Sequence, residues 1–164
     1  MNKNRLNLTA RFAVASEICR RTADDVFVSY QERGELRLEN PHASIRLKVH
    51  AKQGDVWPGC KGIHGKDTIL ILVDFCQKSD SERPDFYVLT DSDWRKVVED
   101  RINPLRKKGK QIELDDQNIA INWSDLNDHW KPYKGIDVRP SAIQKHFEKW
   151  EKVPDALMRS GRSR

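Results

Sequence analysis

Apolar and polar residues alternate strictly over Ser44-Ile45-Arg46-Leu47-Lys48-Val49-His50-Ala51-Lys52. This period of two predicts a strand that buries one face and carries four basic groups on the other. Upstream, Phe12, Val14, Ala15, Ile18 and Cys19 recur at helical spacing and predict an amphipathic helix from about Leu8 to Arg21, with Arg20 and Arg21 at its C-terminal dipole. Val26 to Tyr30 reads as a strand, Gln31 to Gly34 as a turn, Glu35 to Glu39 as a second alternating strand and Asn40-Pro41 as another turn. Three strands in meander order are therefore expected. Gln53 to Lys66 holds Gly54, Pro58, Gly59, Gly62 and Gly65, a density of breakers that predicts an irregular, function-bearing loop. The near-continuous apolar run Ile69 to Phe75 fits a central strand buried on both faces.

Asp85 to Leu89 predicts another strand, followed by a helix capped by Asp91 or Ser92 whose stripe is Trp94, Val97, Val98 and Ile102. After Pro104 comes the basic patch Arg106 to Lys110, then a short apolar alternation at Ile112 to Leu114, while 119–133 receives no assignment. Ser141 to Gln144 has capping-box form, and Ile143, Phe147 and Trp150 predict a last helix ending near Pro154. The expected organisation is one domain over 1–155 and a basic disordered tail over 156–164.

Composition narrows the class. A chain of 164 residues with 37% hydrophobic and 34% charged residues can bury one core. No apolar run approaches the ~18 residues that span a bilayer, and Met1 to Arg5 lacks the apolar segment of a secretory signal. A cytoplasmic protein without membrane contact is expected. The three cysteines fit neither a disulfide framework nor a paired metal knuckle, and Cys19 and Cys76 read as buried reduced thiols. The net charge of +5 suits a polyanionic partner.

The basic face of Arg46, Lys48, His50 and Lys52 is either a solvated sheet surface or the floor of an anion site, since adjacent like charges are tolerated best beside a polyanion. Trp57 is either a core residue or a base-stacking platform beside that face, and Lys107 and Lys108 are a solvated turn or phosphate contacts. Cys60 and His64, with His50 and Asp67, form a weak zinc pattern lacking a second paired unit.

Particular residues carry a family resemblance: Phe12 to Glu17 with Arg20-Arg21, Glu35-Leu36 with Asn40-Pro41, Ser44 to Val49, Trp57-Pro58, Ile71 to Asp74, and Arg83 to Val88. Together they resemble a group of small bacterial proteins of the PD-(D/E)xK nuclease superfamily, well over about residues 9–102 and loosely beyond, with echoes at His129 to Pro132 and Phe147 to Trp150. The resemblance implies a restriction-endonuclease-like α/β (α+β) fold: an αβββαβ core with a mixed central sheet flanked by helices and a C-terminal helical extension. It also implies DNA as the partner, with homodimerisation left open, and Mg²⁺-dependent phosphodiester hydrolysis.

In that superfamily a second-strand Asp and a third-strand Glu or Gln, followed two residues on by Lys, converge on Mg²⁺, which lowers the pKa of a bound water. Here Glu35 falls at the second-strand position, with Glu39 on the same face and Glu17 as a further carboxylate from the first helix. Lys48 and His50 stand where the third-strand acid and lysine are expected, and the alternative registers, Arg46 with Lys48 or His50 with Lys52, supply no carboxylate either. The catalytic expectation is Glu35 on the metal with Lys48 and His50 orienting water and phosphate, and Arg46, Lys52, Trp57, Lys107 and Lys108 contacting nucleic acid. The alternative is a catalytically inactive module of the same fold that binds nucleic acid or a protein partner.

Overall fold

A computed structural model describes residues 2–22, 25–31, 35–109, 112–114, 120–122 and 133–161, with backbone only for 113–114, 120–122 and 133–134. Helix α1 (Lys3–Arg21) begins five residues before the expected start at Leu8, because the Asn2 side chain caps it by accepting from the Arg5 N–H at 3.0 Å. Strands β1 (Phe27–Tyr30), β2 (Leu36–Asn40) and β3 (Ala43–Lys52) form the expected meander. The turn expected over Gln31 to Gly34 falls largely outside the described residues.

The segment expected to be irregular contains a strand, β4 (Trp57–Cys60), before the chain enters β5 (Thr68–Asp74) and β6 (Asp85–Thr90). A five-stranded mixed sheet results, in the order β1-β2-β3-β5-β6, with β3 and β5 parallel and every other neighbour antiparallel. All seven residues of β5 are buried. The fold is α+β. Between β3 and β5 the chain forms β4, where an αβββαβ order has a helix.

The next helix, α2 (Asp91–Lys107), follows β6 and is capped by Thr90 in a reciprocal capping box with Asp93, one residue before the expected cap. It continues through Pro104, so Arg106 and Lys107 are helical rather than part of a following turn. Strands β7 (Ile112–Leu114), β8 (Ala120–Asn122) and β9 (Tyr133–Lys134) form a three-stranded sheet, and β10 (Ile136–Val138) pairs with β4. Trp123, Trp130 and the echo at His129 to Pro132 lie outside the described residues.

The expected helix over 141–154 is broken into α3 (Pro140–Ile143), a 3-10 turn (Gln144–His146) and α4 (Lys152–Gly161). Phe147 is extended and bridges to Tyr87, and Glu148 takes a left-handed φ of 54°, which no helix accommodates. Ser141 caps nothing: Arg139 holds the N-cap position without a side-chain bond. Pro154 opens α4 instead of ending a helix, in the first turn, where a missing N–H costs nothing. The supposed tail is therefore helical to Gly161, with Ala156 and Leu157 in the core.

Two cores flank the sheet. On one face Ala10, Val14 and Ile18 of α1 and Val153, Ala156 and Leu157 of α4 pack on Leu36, Leu38, Ile45, Leu47, Ile69 and Ile71. On the other, Trp94, Val97, Val98 and Ile102 of α2 join Trp57, Cys60 and Ile63 over Leu70, Leu72, Tyr87 and Leu89. The register pairs Lys48 with Leu70 and His50 with Leu72, so the basic face of β3 belongs to this second side, beneath the 53–67 crossover. Among the cysteines only Cys60 is buried; Cys19 is exposed and Cys76 half-buried, which corrects the expectation for both. Among the described residues no helix is long and apolar enough to cross a membrane.

Candidate functional site

The hairpin of β2 and β3 is closed at Pro41-His42 and open at its other end. Its pairing begins at Leu36 opposite Leu47, so β3 runs on past Lys48 without β2 beside it. In this fork lies a cavity of about 780 Å³. Glu35, Lys48 and His50 line it from the sheet, Lys3, Leu6, Asn7 and Arg11 from the first half of α1, and Gln53 to Lys61 from the crossover. Glu35, Lys48 and Lys61 also border a smaller crevice of about 260 Å³ that reaches Arg46 and His64.

Each basic residue of β3 meets a different environment. Arg46 donates to Thr68 Oγ1 at 3.1 Å and lies 3.6 Å from Asp67 Oδ1, half exposed. Lys48 Nζ donates to the Gly62 carbonyl at 2.8 Å, and its pKa is lowered chiefly by burial, with the nearby Glu35 charge opposing. His50 is held neutral, its pKa pushed down to about 4 by burial first and then by Lys48, Lys3 and Arg11. Lys52 is buried, 2.6 Å from Asp74 and 2.9 Å from the Gly54 carbonyl, with its ammonium 4.7 Å from the centre of the Trp57 ring. The expectation that Lys52 contacts phosphate is corrected: its donors are spent inside the fold.

Trp57 is corrected in the same way. It is 1% exposed, its indole Nε1 donates to the Val73 carbonyl at 3.1 Å, and its ring meets Tyr87 edge to face. No face is left for a base. Lys107 and Lys108 are exposed but line neither the cavity nor the crevice. The sixteen residues from Asp91, which lies beside His64, put Lys107 about 24 Å down α2.

The three expected metal carboxylates do not converge. Glu17 is buried towards the C-terminal end of α1, bonded to Arg20, Arg21 and Arg83, which hold its pKa down to about 2, the Arg83 bond being the largest cause. This cluster continues through two Arg83–Glu148 bonds and ties α1 to the chain ahead of β6. Glu39 is four residues from Glu35, roughly 13 Å along the strand, and its carboxylate accepts from Arg37 and Ser44. That separation exceeds what one ion can bridge. Cys60 donates to the Trp57 carbonyl, with burial pushing its thiol up to about 12, while His64 turns to Asp91 at 3.9 Å, so the zinc pattern does not assemble. Among the described residues no group of three His, Cys, Asp or Glu is placed to hold a metal ion.

Two features were not legible from spacing. Arg11 and Lys3 reach the site from α1, and the Gly62 carbonyl holds Lys48 because the glycine backbone lies against the Trp94 indole. Comparison with family models, curated proteins and solved structures finds no match to this chain.

A buried histidine outside the fork sets a stability prediction. His146 is 3% exposed; Nδ1 lies 2.9 Å from Lys152 Nζ, and burial, then Lys152, lowers its pKa to about 4 despite Asp93. Between about pH 6.5 and 4 the unfolded chain binds a proton that the native imidazole refuses. Stability is therefore full above that window and falls as pH drops through it, by at most about 3 kcal/mol for this group. Urea midpoints should fall across that range, and His146→Gln should flatten the fall; an unchanged slope would refute the assignment. Loss of the Glu17 contribution comes lower, as pH falls from 4.5 towards 2.

Proposed function

We propose that the chain is a restriction-endonuclease-like domain that binds nucleic acid, DNA in the first instance, through the β2–β3 fork without cleaving it. The observation that carries this reading is Lys48. It lies opposite Glu35 at the mouth of the fork, where metal-dependent members of that superfamily have a third-strand carboxylate or amide. An ammonium there repels Mg²⁺ and attracts phosphate. The sheet order and strand directions are consistent with that fold, and the basic groups of the cavity come from three separate elements, as a backbone-tracking groove requires.

The Mg²⁺ of the superfamily does not suit this donor set. Glu35 is the one expected ligand at the fork, with Lys48 and His50 on the strand beside it. Arg46 takes the role of a flanking phosphate contact from the adjoining crevice, where its guanidinium is half exposed.

The test is fluorescence anisotropy with labelled DNA across a salt series, with and without Mg²⁺. Affinity should fall linearly in log–log form with added salt, and Lys48→Ala should weaken binding on all sequences and reduce the slope by about 1. Binding absent at low salt, or Mg²⁺-dependent cleavage abolished by Glu35→Ala, would overturn the reading.

A further inference from the structure

We propose that the fork cavity is a seat for a terminal phosphate monoester, held by Arg11, Lys48 and Lys3, and that His50 takes up one proton as the dianion enters. The proposal rests on the nucleic-acid reading and specifies which part of the strand enters the fork.

Three observations lead to it. First, the charges that line the cavity are unequal. Lys3, Arg11, Lys48 and Lys61 face two carboxylates, Glu35 and Asp55, while Lys52 is neutralised by Asp74 and the Cys60 thiol stays protonated. The formal excess is two positive charges. A terminal monoester carries about −1.5 to −2 at neutral pH, whereas an internal diester carries a single charge.

Second, two side chains of the lining each hold a nitrogen without a partner. Arg11 donates from a terminal nitrogen to the Tyr30 hydroxyl at 2.6 Å, yet its Nε is buried without a partner among the described residues, and so is Nε2 of His50. A buried polar nitrogen left unpaired costs about 1–3 kcal/mol, so both side chains gain by turning towards an acceptor held in the cavity they border. Phosphate oxygens supply such acceptors in the geometry a guanidinium prefers.

Third, the positive field on His50 is offset when a dianion arrives. The groups facing it are Lys48 on its own strand, Lys3 and Arg11 from α1, Glu35 ahead of β2, and Asp55 and Lys61 on the crossover. In the empty site the nearby cations and burial keep the imidazole neutral. Two negative charges beside it offset those cations and favour the imidazolium relative to the empty site, and its Nε2–H then donates to phosphate. The proton comes from the buffer, and no bond in the ligand is broken.

The experiment is titration calorimetry of the full chain at neutral pH and low salt, in two buffers of different ionisation enthalpy. The probes are a short single-stranded DNA with a 5′- or 3′-phosphate, the same strand with hydroxyl ends, and a nucleoside monophosphate. The expected result is binding about tenfold or more tighter for a phosphorylated end, with buffer-dependent heat equal to uptake of close to one proton. His50→Gln should remove the uptake. A nucleoside monophosphate matching the phosphorylated strand would support the seat and identify free nucleotide as its source. Equal affinity for phosphorylated and hydroxyl ends, or heat independent of buffer, would overturn the seat while leaving nucleic-acid binding intact. No binding of any strand would overturn both. The wild-type end preference and proton count need no variant, so a folding defect in His50→Gln cannot mask the result.

Discussion

Replacing Asp74 by alanine is expected to cost about 3–5 kcal/mol of stability, the penalty of stranding one charge of a buried pair. Lys52 is 3% and Asp74 7% exposed, and the parallel register places them directly opposite each other on β3 and β5. The Lys52 ammonium is held by Asp74, the Gly54 carbonyl and the Trp57 ring, and the second Asp74 oxygen accepts from the Cys76 N–H at 2.8 Å. Removing the carboxylate leaves a buried ammonium with only the Gly54 carbonyl and the Trp57 ring beside it. The double variant Lys52→Met with Asp74→Leu should recover most of the loss, because two apolar side chains need no desolvated charge to be balanced. Urea midpoints at constant m-value measure both. A single variant within 1 kcal/mol of wild type, or a double variant worse than the single, would show that the pair is not held in this way.

The same pair shows where reading the sequence stops. The period of two in β3 was enough to place Arg46, Lys48, His50 and Lys52 on one face, and the apolar run of β5 was enough to bury it. What spacing could not supply was the partner of each base, since that depends on which residue of a strand twenty-two positions further on lies opposite. Lys52 thus looked like Lys48 in the sequence and is its opposite in the fold. β4 was hidden for a related reason: two of its four residues are proline and glycine, and its pairing partner β10 lies more than seventy residues away. Pro154 misled because proline both ends helices and opens them, and only Ala156 and Leu157 packing on the sheet decides between the two. Phe12 and Cys19 belong to the expected helical stripe but are exposed, Phe12 at 64%, so the buried stripe of α1 is Leu6, Ala10, Val14 and Ile18.

Gly62→Ala should both destabilise the protein and loosen the site, because this glycine holds two things in place. Its φ is +66°, a conformation that costs an L-residue roughly 1 kcal/mol or more. A Cβ would lie 1.8 Å from Trp94 Nε1 and 2.1 Å from Cε2, and Trp94 is fully buried with no space to retreat into. Overpacking of this kind adds about 1–3 kcal/mol, so a total near 3 kcal/mol is expected. Backbone movement that relieves the clash must carry the Gly62 carbonyl with it, and that carbonyl is the acceptor for Lys48 Nζ. DNA affinity should therefore fall along with stability, measured by anisotropy at a temperature where the variant is still folded. Gly54→Ala is the control. Nothing lies within 4 Å of a Cβ there, its φ is ordinary, and only its carbonyl is used, so stability and binding should stay within 0.5 kcal/mol of wild type, the usual range for such a site. If Gly62→Ala loses stability but keeps full affinity, the Gly62 carbonyl does not position Lys48, and the lysine finds its phosphate without that anchor.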